Sequence, residues 1–83
     1  MVAKRKNQTV PVTVRALLKR VNRLLEAKGH VLKRTRGARA EETLGAFYRI
    51  DQRRNVIVDK AVDLEALGRE LEALKEYEHL ADE

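Results

Sequence analysis

The feature of this chain that most constrains its fold is an apolar stripe that begins at Val14 and ends at Leu25. Its members recur at steps of three and four residues, the spacing of one face of an amphipathic α-helix. Thr13 is suited to cap the start of this helix, and Gly29 follows where a left-handed residue would end it. The stripe therefore predicts a first helix between Thr13 and Gly29. The apolar stripe consists of Val14, Leu17, Leu18, Val21, Leu24 and Leu25.

After Gly29 the helical period is lost, and short segments with β-branched and apolar residues predict three strands, at 30–36, 46–51 and 56–58. The polar turn at 52–55 is short, so the second and third strands are predicted to form an antiparallel hairpin. Between the first two strands, the small residues at 37–40 predict a loop. The segment 41–45 is compatible with a loop or a short turn.

A second helix is predicted from an N-cap at Asp63. Its buried stripe is Leu64, Leu67, Leu71 and Leu74. The acidic segment that follows is expected either to fray or to cover an edge of the fold with Tyr77 and Leu80.

These elements predict an α+β fold, a two-layer αβββα arrangement with two helices on one face of a three-stranded antiparallel sheet. Eighty-three residues allow one small domain. We assign that domain to residues 11–78, between a mobile basic tail at 1–10 and an acidic C-terminal tail at 79–83. Because the core is small, a homodimer that buries more apolar surface is an alternative. Besides the first stripe, the expected core contains Leu32, Phe47 or Tyr48, Ile50, Ile57, Leu64, Leu67 and Leu71.

Charge is segregated along the chain. There are 18 Lys and Arg against 13 Asp and Glu, a net charge of +5. Residues 1–40 contain twelve bases and one acid, Glu26, whereas residues 41–83 contain six bases and twelve acids. Segregation of this size indicates an anionic partner for the basic half, unless the two halves neutralise each other within the fold.

Cations of the first helix and of the first strand form the candidate binding site. On the strand and its loop they flank Gly37, and several cations around a bare backbone suit a phosphate or a carboxylate. The alternative is that they protect an exposed strand edge from pairing. The predicted nucleic-acid-binding residues are Arg15, Lys19, Arg23, Lys33, Arg34, Arg36 and Arg39.

The chain lacks the residue types of many catalytic and metal sites. It has neither cysteine nor serine, and its only imidazoles, His30 and His79, are far apart without acids at metal-ligand spacing. We therefore expect no catalytic residue, no metal and no cofactor, and a protein that is not an enzyme. No apolar run reaches about 18 residues, and the first residues are not typical of a signal peptide, so we expect a cytoplasmic protein without a membrane partner.

The segment 25–37 (LEAKGHVLKRTRG) resembles the HicA-type toxins, small αβββα proteins with a fold like that of double-stranded-RNA-binding domains. In that family a helix leads into Gly-x-x-Leu-x-Arg and then Gly-Ser-His, whose histidine serves mRNA cleavage. Gly29, Leu32, Arg34 and Gly37 match this pattern. The resemblance implies the order of elements. It does not imply ribonuclease activity, because Ala38 and Arg39 stand where the serine and histidine would be.

Double-stranded-RNA-binding domains share this order, but their last helix begins with lysines, whereas here it begins with Asp63, Leu64 and Glu65. Standard duplex-RNA binding is therefore not expected. The sequence predicts a small non-enzymatic module whose basic face contacts the backbone of DNA or RNA, largely without sequence specificity. The alternative is a protein-interaction or regulatory factor, for example from a mobile element, that docks on an acidic protein or on a second copy.

Overall fold

The first helix, α1, spans Val14–Leu25 and continues into a 3₁₀ turn at Glu26–Lys28. The structure is a computed structural model that describes residues 9–81. The hydroxyl of Thr13 accepts a hydrogen bond of 3.1 Å from the amide of Ala16, and Gly29 ends the turn with φ of 76°. Both ends of the helix are therefore those that the sequence predicts. The remaining elements are β1 (Val10–Val12), β2 (His30–Arg34), α2 (Ala38–Leu44), β3 (Phe47–Asp51), β4 (Val56–Asp59), α3 (Leu64–Glu70) and β5 (Glu78–Leu80).

The main sheet is antiparallel, with β3 between β2 and β4. In the register of β2 and β3, Leu32 lies opposite Arg49 and Lys33 opposite Tyr48. The register of β3 and β4 shifts between Arg49, which lies opposite Asp59, and Ile50, which lies opposite Ile57. A small α+β domain with a three-stranded antiparallel sheet, as the sequence predicts, is confirmed.

The core lies between α1, α3 and one face of this sheet. Leu17, Val21 and Leu25 of α1 are 0% exposed, and Leu32 of β2 is 1% exposed. Of the two aromatic residues considered for the core, Phe47 is buried and Tyr48 is half-buried. The core cluster comprises Val12, Val14, Leu17, Val21, Leu25, Leu32, Phe47, Leu64, Leu67, Ala73 and Leu74.

Three residues expected in the core lie outside it. Leu24 is 44% exposed, because it sits at the margin of the apolar stripe of α1. Ile57 is 45% exposed and Ile50 is half-buried, because they are paired on the sheet face that points away from α1 and α3. Leu18 and Leu71 are only partly buried and pack against the edge of the core.

The predicted αβββα order lacks three elements of the structure, the helix α2 and a parallel pair of strands, β1 and β5. Residues 38–44 were expected to form a loop or turn, but their alanines, glutamates and leucine favour a helix, which begins after Gly37. His79 and Leu80, expected in a C-terminal tail, pair with Pro11 and Val12 in the second sheet.

The helix α3 is shorter than its apolar stripe. It ends at Glu70, and Glu72 has φ of 62°. The carbonyl of Gly68 accepts hydrogen bonds from the amides of Ala73 and Leu74, at 2.7 and 3.1 Å. This tight turn buries Leu74 without extending the helix.

The basic cluster at residues 4–6 and the final acids at 82–83 lie outside the described residues. Within 9–81, no helix combines the length and the hydropathy that a membrane-spanning helix requires.

Candidate nucleic-acid interface

The polar face of α1 presents a row of cations. Arg15, Lys19 and Arg23 follow one another at steps of four residues, and all three are exposed. Arg20 is turned differently, since its guanidinium donates to the carbonyl of Ala73 at 3.1 Å and to Glu78 at 2.9 Å. The row therefore faces solvent, while Arg20 joins α1 to the C-terminal segment.

The side chain of Asn22 holds α1 against the outer edge of β2. Its Nδ2 donates to the carbonyl of Leu32 at 3.1 Å, and the amide of Leu32 donates to its Oδ1 at 2.6 Å. These bonds satisfy the N–H and the C=O of one residue in an edge strand. Without them, both groups would be open to pairing with another strand. The bonds also bring the cations of β2 alongside those of α1.

The helix α2 is held in place by a close backbone approach at its C-terminal end. Gly45 has φ of 74°, and a Cβ atom there would lie 2.4 Å from Cα of Ala61. The amide of Ala61 donates to the carbonyl of Leu44 at 2.7 Å. Because only glycine suits this φ and this contact, Gly45 fixes α2 beside the sheet.

A groove of about 730 Å³, here called the β2 groove, lies between β2, α1 and α2. Lys33, Arg34 and Arg36 border it, and no carboxylate contributes to its lining within the described residues. The hydroxyl of Thr35, which also lines it, is buried and has no hydrogen-bond partner within 9–81. Its apolar lining consists of Leu18, Val31, Leu32, Ala40 and Leu44, and Tyr48 completes it.

A second groove of about 420 Å³, the α1 groove, adjoins the first at Val31, which lines both. Lys19 and Arg23 border it together with one acid, Glu26. The structure thus brings five of the seven predicted cations to two adjoining grooves. Arg15 and Arg39 are exposed but line neither groove, and Arg39 lies on α2 where a loop was expected.

Little of the charge segregation is neutralised by contacts inside the described part of the fold. Six of the seven predicted cations form no ion pair with another residue of the described range 9–81: Arg15, Lys19, Arg23, Lys33, Arg36 and Arg39. An ion pair of 2.9 Å between Arg20 and Glu78 does join the basic half to the acidic half. Two further pairs, Arg54–Asp51 and Arg69–Glu65, lie within the acidic half.

The carboxylate of Glu78 is buried and accepts two hydrogen bonds of 2.9 Å, from Arg20 and from the amide of Lys75. These bonds, chiefly that from Arg20, hold the pKa of Glu78 below its usual value. The ionised form is therefore the one that the fold stabilises.

Sequence reasoning missed several residues of the grooves. For Tyr48, sequence reasoning weighed the stacking of a base against a place in the core and preferred the core. Thr35 and His30 were not considered for nucleic-acid binding. The two-residue period of a strand could have indicated that Tyr48 is available for binding. Adjacent residues of a strand point to opposite faces of the sheet, so Tyr48 lies on the face opposite to that of Phe47. His30 lines the α1 groove, and its Nδ1 accepts a hydrogen bond of 2.9 Å from Arg49.

Groups of three or more residues suited to hold a metal ion are absent from the described residues.

Comparisons of the chain with protein-family models, with curated proteins and with solved structures gave no match. They neither support nor contradict the resemblance to HicA-type toxins, which stays a prediction.

Proposed function

We propose that this protein is a small binding module that holds the sugar–phosphate backbone of nucleic acid against α1 and β2. The observation that carries this proposal is the set of five cations around the β2 and α1 grooves: Lys19, Arg23, Lys33, Arg34 and Arg36.

Exposed cations that are close together repel one another, and a polyanion relieves this repulsion. Binding also releases counterions condensed on the nucleic acid, which makes phosphate contacts favourable at low salt. Contacts of this kind position the backbone and do not identify bases. Guanidinium and ammonium groups suit the recognition of phosphate. The role that we propose for them is binding without catalysis.

Fluorescence polarisation with a labelled oligonucleotide tests the proposal through a matched pair of variants. Arg36→Ala removes one charge at the β2 groove, and Lys60→Ala removes one exposed charge that lines neither groove. At low salt we expect Arg36→Ala to weaken binding about fivefold, the loss of about 1 kcal/mol, and Lys60→Ala to change it less than about twofold.

Equal losses in the two variants would mean that only net charge matters, and the assignment to the grooves would be wrong. Absence of binding by the unaltered protein in dilute buffer would contradict the proposal altogether.

A second candidate function, docking on another protein, is favoured by β4. Only β3 pairs with this strand among the described residues, and Val56, Ile57 and Val58 are 46%, 45% and 47% exposed. An open edge of β-branched residues can pair with a strand of a partner or of a second copy. Sedimentation at several protein concentrations, without nucleic acid, distinguishes self-association from the first proposal.

A further inference from the structure

One face of the main sheet is not used by the core. Leu32 and Phe47 point toward α1 and α3, so the residues that alternate with them along β2 and β3 point the other way. The register places these residues side by side, since Lys33 lies opposite Tyr48, Val31 opposite Ile50, and Ile50 opposite Ile57. We call this set the open sheet face: Val31, Lys33, Tyr48, Ile50 and Ile57.

The open sheet face combines apolar surface with a ring and a cation. None of its five residues is buried, and Ile57 is 45% exposed. Tyr48 is half-buried and lines the β2 groove, whose border carries Arg34 and Arg36. A flat aromatic ring therefore lies on an open sheet, directly beside cations of the β2 groove. These are the cations that contact phosphates in the function proposed above.

An aromatic side chain on an open antiparallel sheet is suited to stack on an unpaired base, because every base has a π-face. A duplex cannot make this contact without unstacking, since its bases are already stacked on one another. Cations beside the ring match the phosphates on either side of the stacked base. The combination favours a single strand over a duplex.

We propose that the open sheet face binds single-stranded nucleic acid, with one unpaired base stacked on Tyr48 and the neighbouring phosphates on Lys33 and Arg36. This inference rests on the proposed function and adds the form of the nucleic acid. The ring selects the single strand, whereas the cations attract either form.

Polarisation titrations compare a single-stranded oligonucleotide with a duplex of the same length, for the unaltered protein, Tyr48→Leu and Tyr48→Phe. We expect the single strand to bind at least about fivefold more tightly than the duplex. Tyr48→Leu should weaken single-strand binding about tenfold, the loss of one stacked base, and leave duplex binding unchanged. Tyr48→Phe keeps the ring and should retain the affinity.

A spectroscopic readout applies even if Tyr48→Leu fails to fold. The chain has no tryptophan and two tyrosines. In the variant Tyr77→Phe, Tyr48 is therefore the sole tyrosine, and stacking of a base should quench its fluorescence on addition of the single strand. An unchanged emission at saturating single strand would overturn the inference.

Equal affinity for both forms, with no effect of Tyr48→Leu, would overturn the stacking site and leave backbone binding intact. Failure of both forms to bind at low salt would overturn the proposed function as well. A dimer that persists with excess oligonucleotide and that Ile57→Lys dissociates would assign the open sheet face to a second copy, which also overturns the inference.

Discussion

At the scale of single residues, Asn22 has the most consequential contacts of the α1–β2 boundary. Its amide meets both the N–H and the C=O of Leu32, so one side chain joins a helix to the edge of a sheet. A polar residue on the flank of an apolar stripe gives no sign of this role in the sequence. Its partner is ten positions away and becomes adjacent only when β2 folds back along α1.

The replacement Asn22→Leu keeps the size of the side chain and removes both hydrogen bonds to Leu32. We expect it to lower the free energy of unfolding by about 1–3 kcal/mol, because the backbone groups lose their partners. Urea denaturation measures this loss. Arg23→Leu, an exposed neighbour on the same helix, should change stability by no more than about 0.5 kcal/mol. Equal effects of the two replacements would contradict the bridging role.

Leu24 and Tyr48 mark the limits of sequence prediction at this scale. The helical period identified the stripe of α1, but it did not show that Leu24 lies at the margin of the contact with the sheet. The choice between Phe47 and Tyr48 depended on which sheet face the helices cover. That face is decided by packing between elements that are distant in the chain, which local patterns do not contain.

At the scale of elements, Glu78 at the start of β5 ties the C-terminal segment to α1 through Arg20. The sequence left open whether this segment frays or covers an edge, and in the structure it forms β5, a parallel strand beside β1. In the sequence this segment is mostly acidic, and Tyr77 and Leu80 are its large apolar side chains. The pairing was not predictable because β1 contains only three residues, one of which is a proline.

The stability of this tie should depend on pH. The folded state lowers the pKa of Glu78, so its ionised form stabilises the fold above the ordinary carboxyl pKa of about 4.3, and this contribution is lost as the pH falls through the lowered pKa. We expect Glu78→Gln to lower the Tm at pH 7. The difference from the unaltered protein should shrink when both are measured near pH 3.

Glu70→Gln, which alters an exposed acid at the end of α3, serves as the control for that measurement and should show little difference at either pH. A Tm difference for Glu78→Gln that is the same at pH 7 and pH 3 would mean that its ionised carboxylate has no special role.

The elements that were predicted well are those with strong local signals: α1 with its cap and stripe, and the hairpin of β3 and β4 with its polar turn. The helix α2 was missed because glycine and small residues next to it indicate a loop as readily as a helix. The end of α3 was misplaced because the apolar period runs on to Leu74, while the turn at Glu72 interrupts the helix.

At the scale of the whole molecule, the segregation of charge in the sequence becomes a cationic surface along α1 and β2. The sequence identified the cations themselves. It did not identify the grooves between them, because these depend on the contact of Asn22 with β2 and on the position of α2 beside the sheet. It also grouped Arg15 and Arg39 with the other five, although neither borders a groove.

The salt dependence of affinity is the sharpest test of whether this surface binds the nucleic-acid backbone. For five phosphate contacts on a single strand, the logarithm of the association constant should fall linearly with the logarithm of salt concentration, with a slope of about −3 to −4. A polarisation titration at several salt concentrations provides this slope. A slope near zero, or no binding at the lowest salt, would mean that these cations do not bind phosphates of nucleic acid.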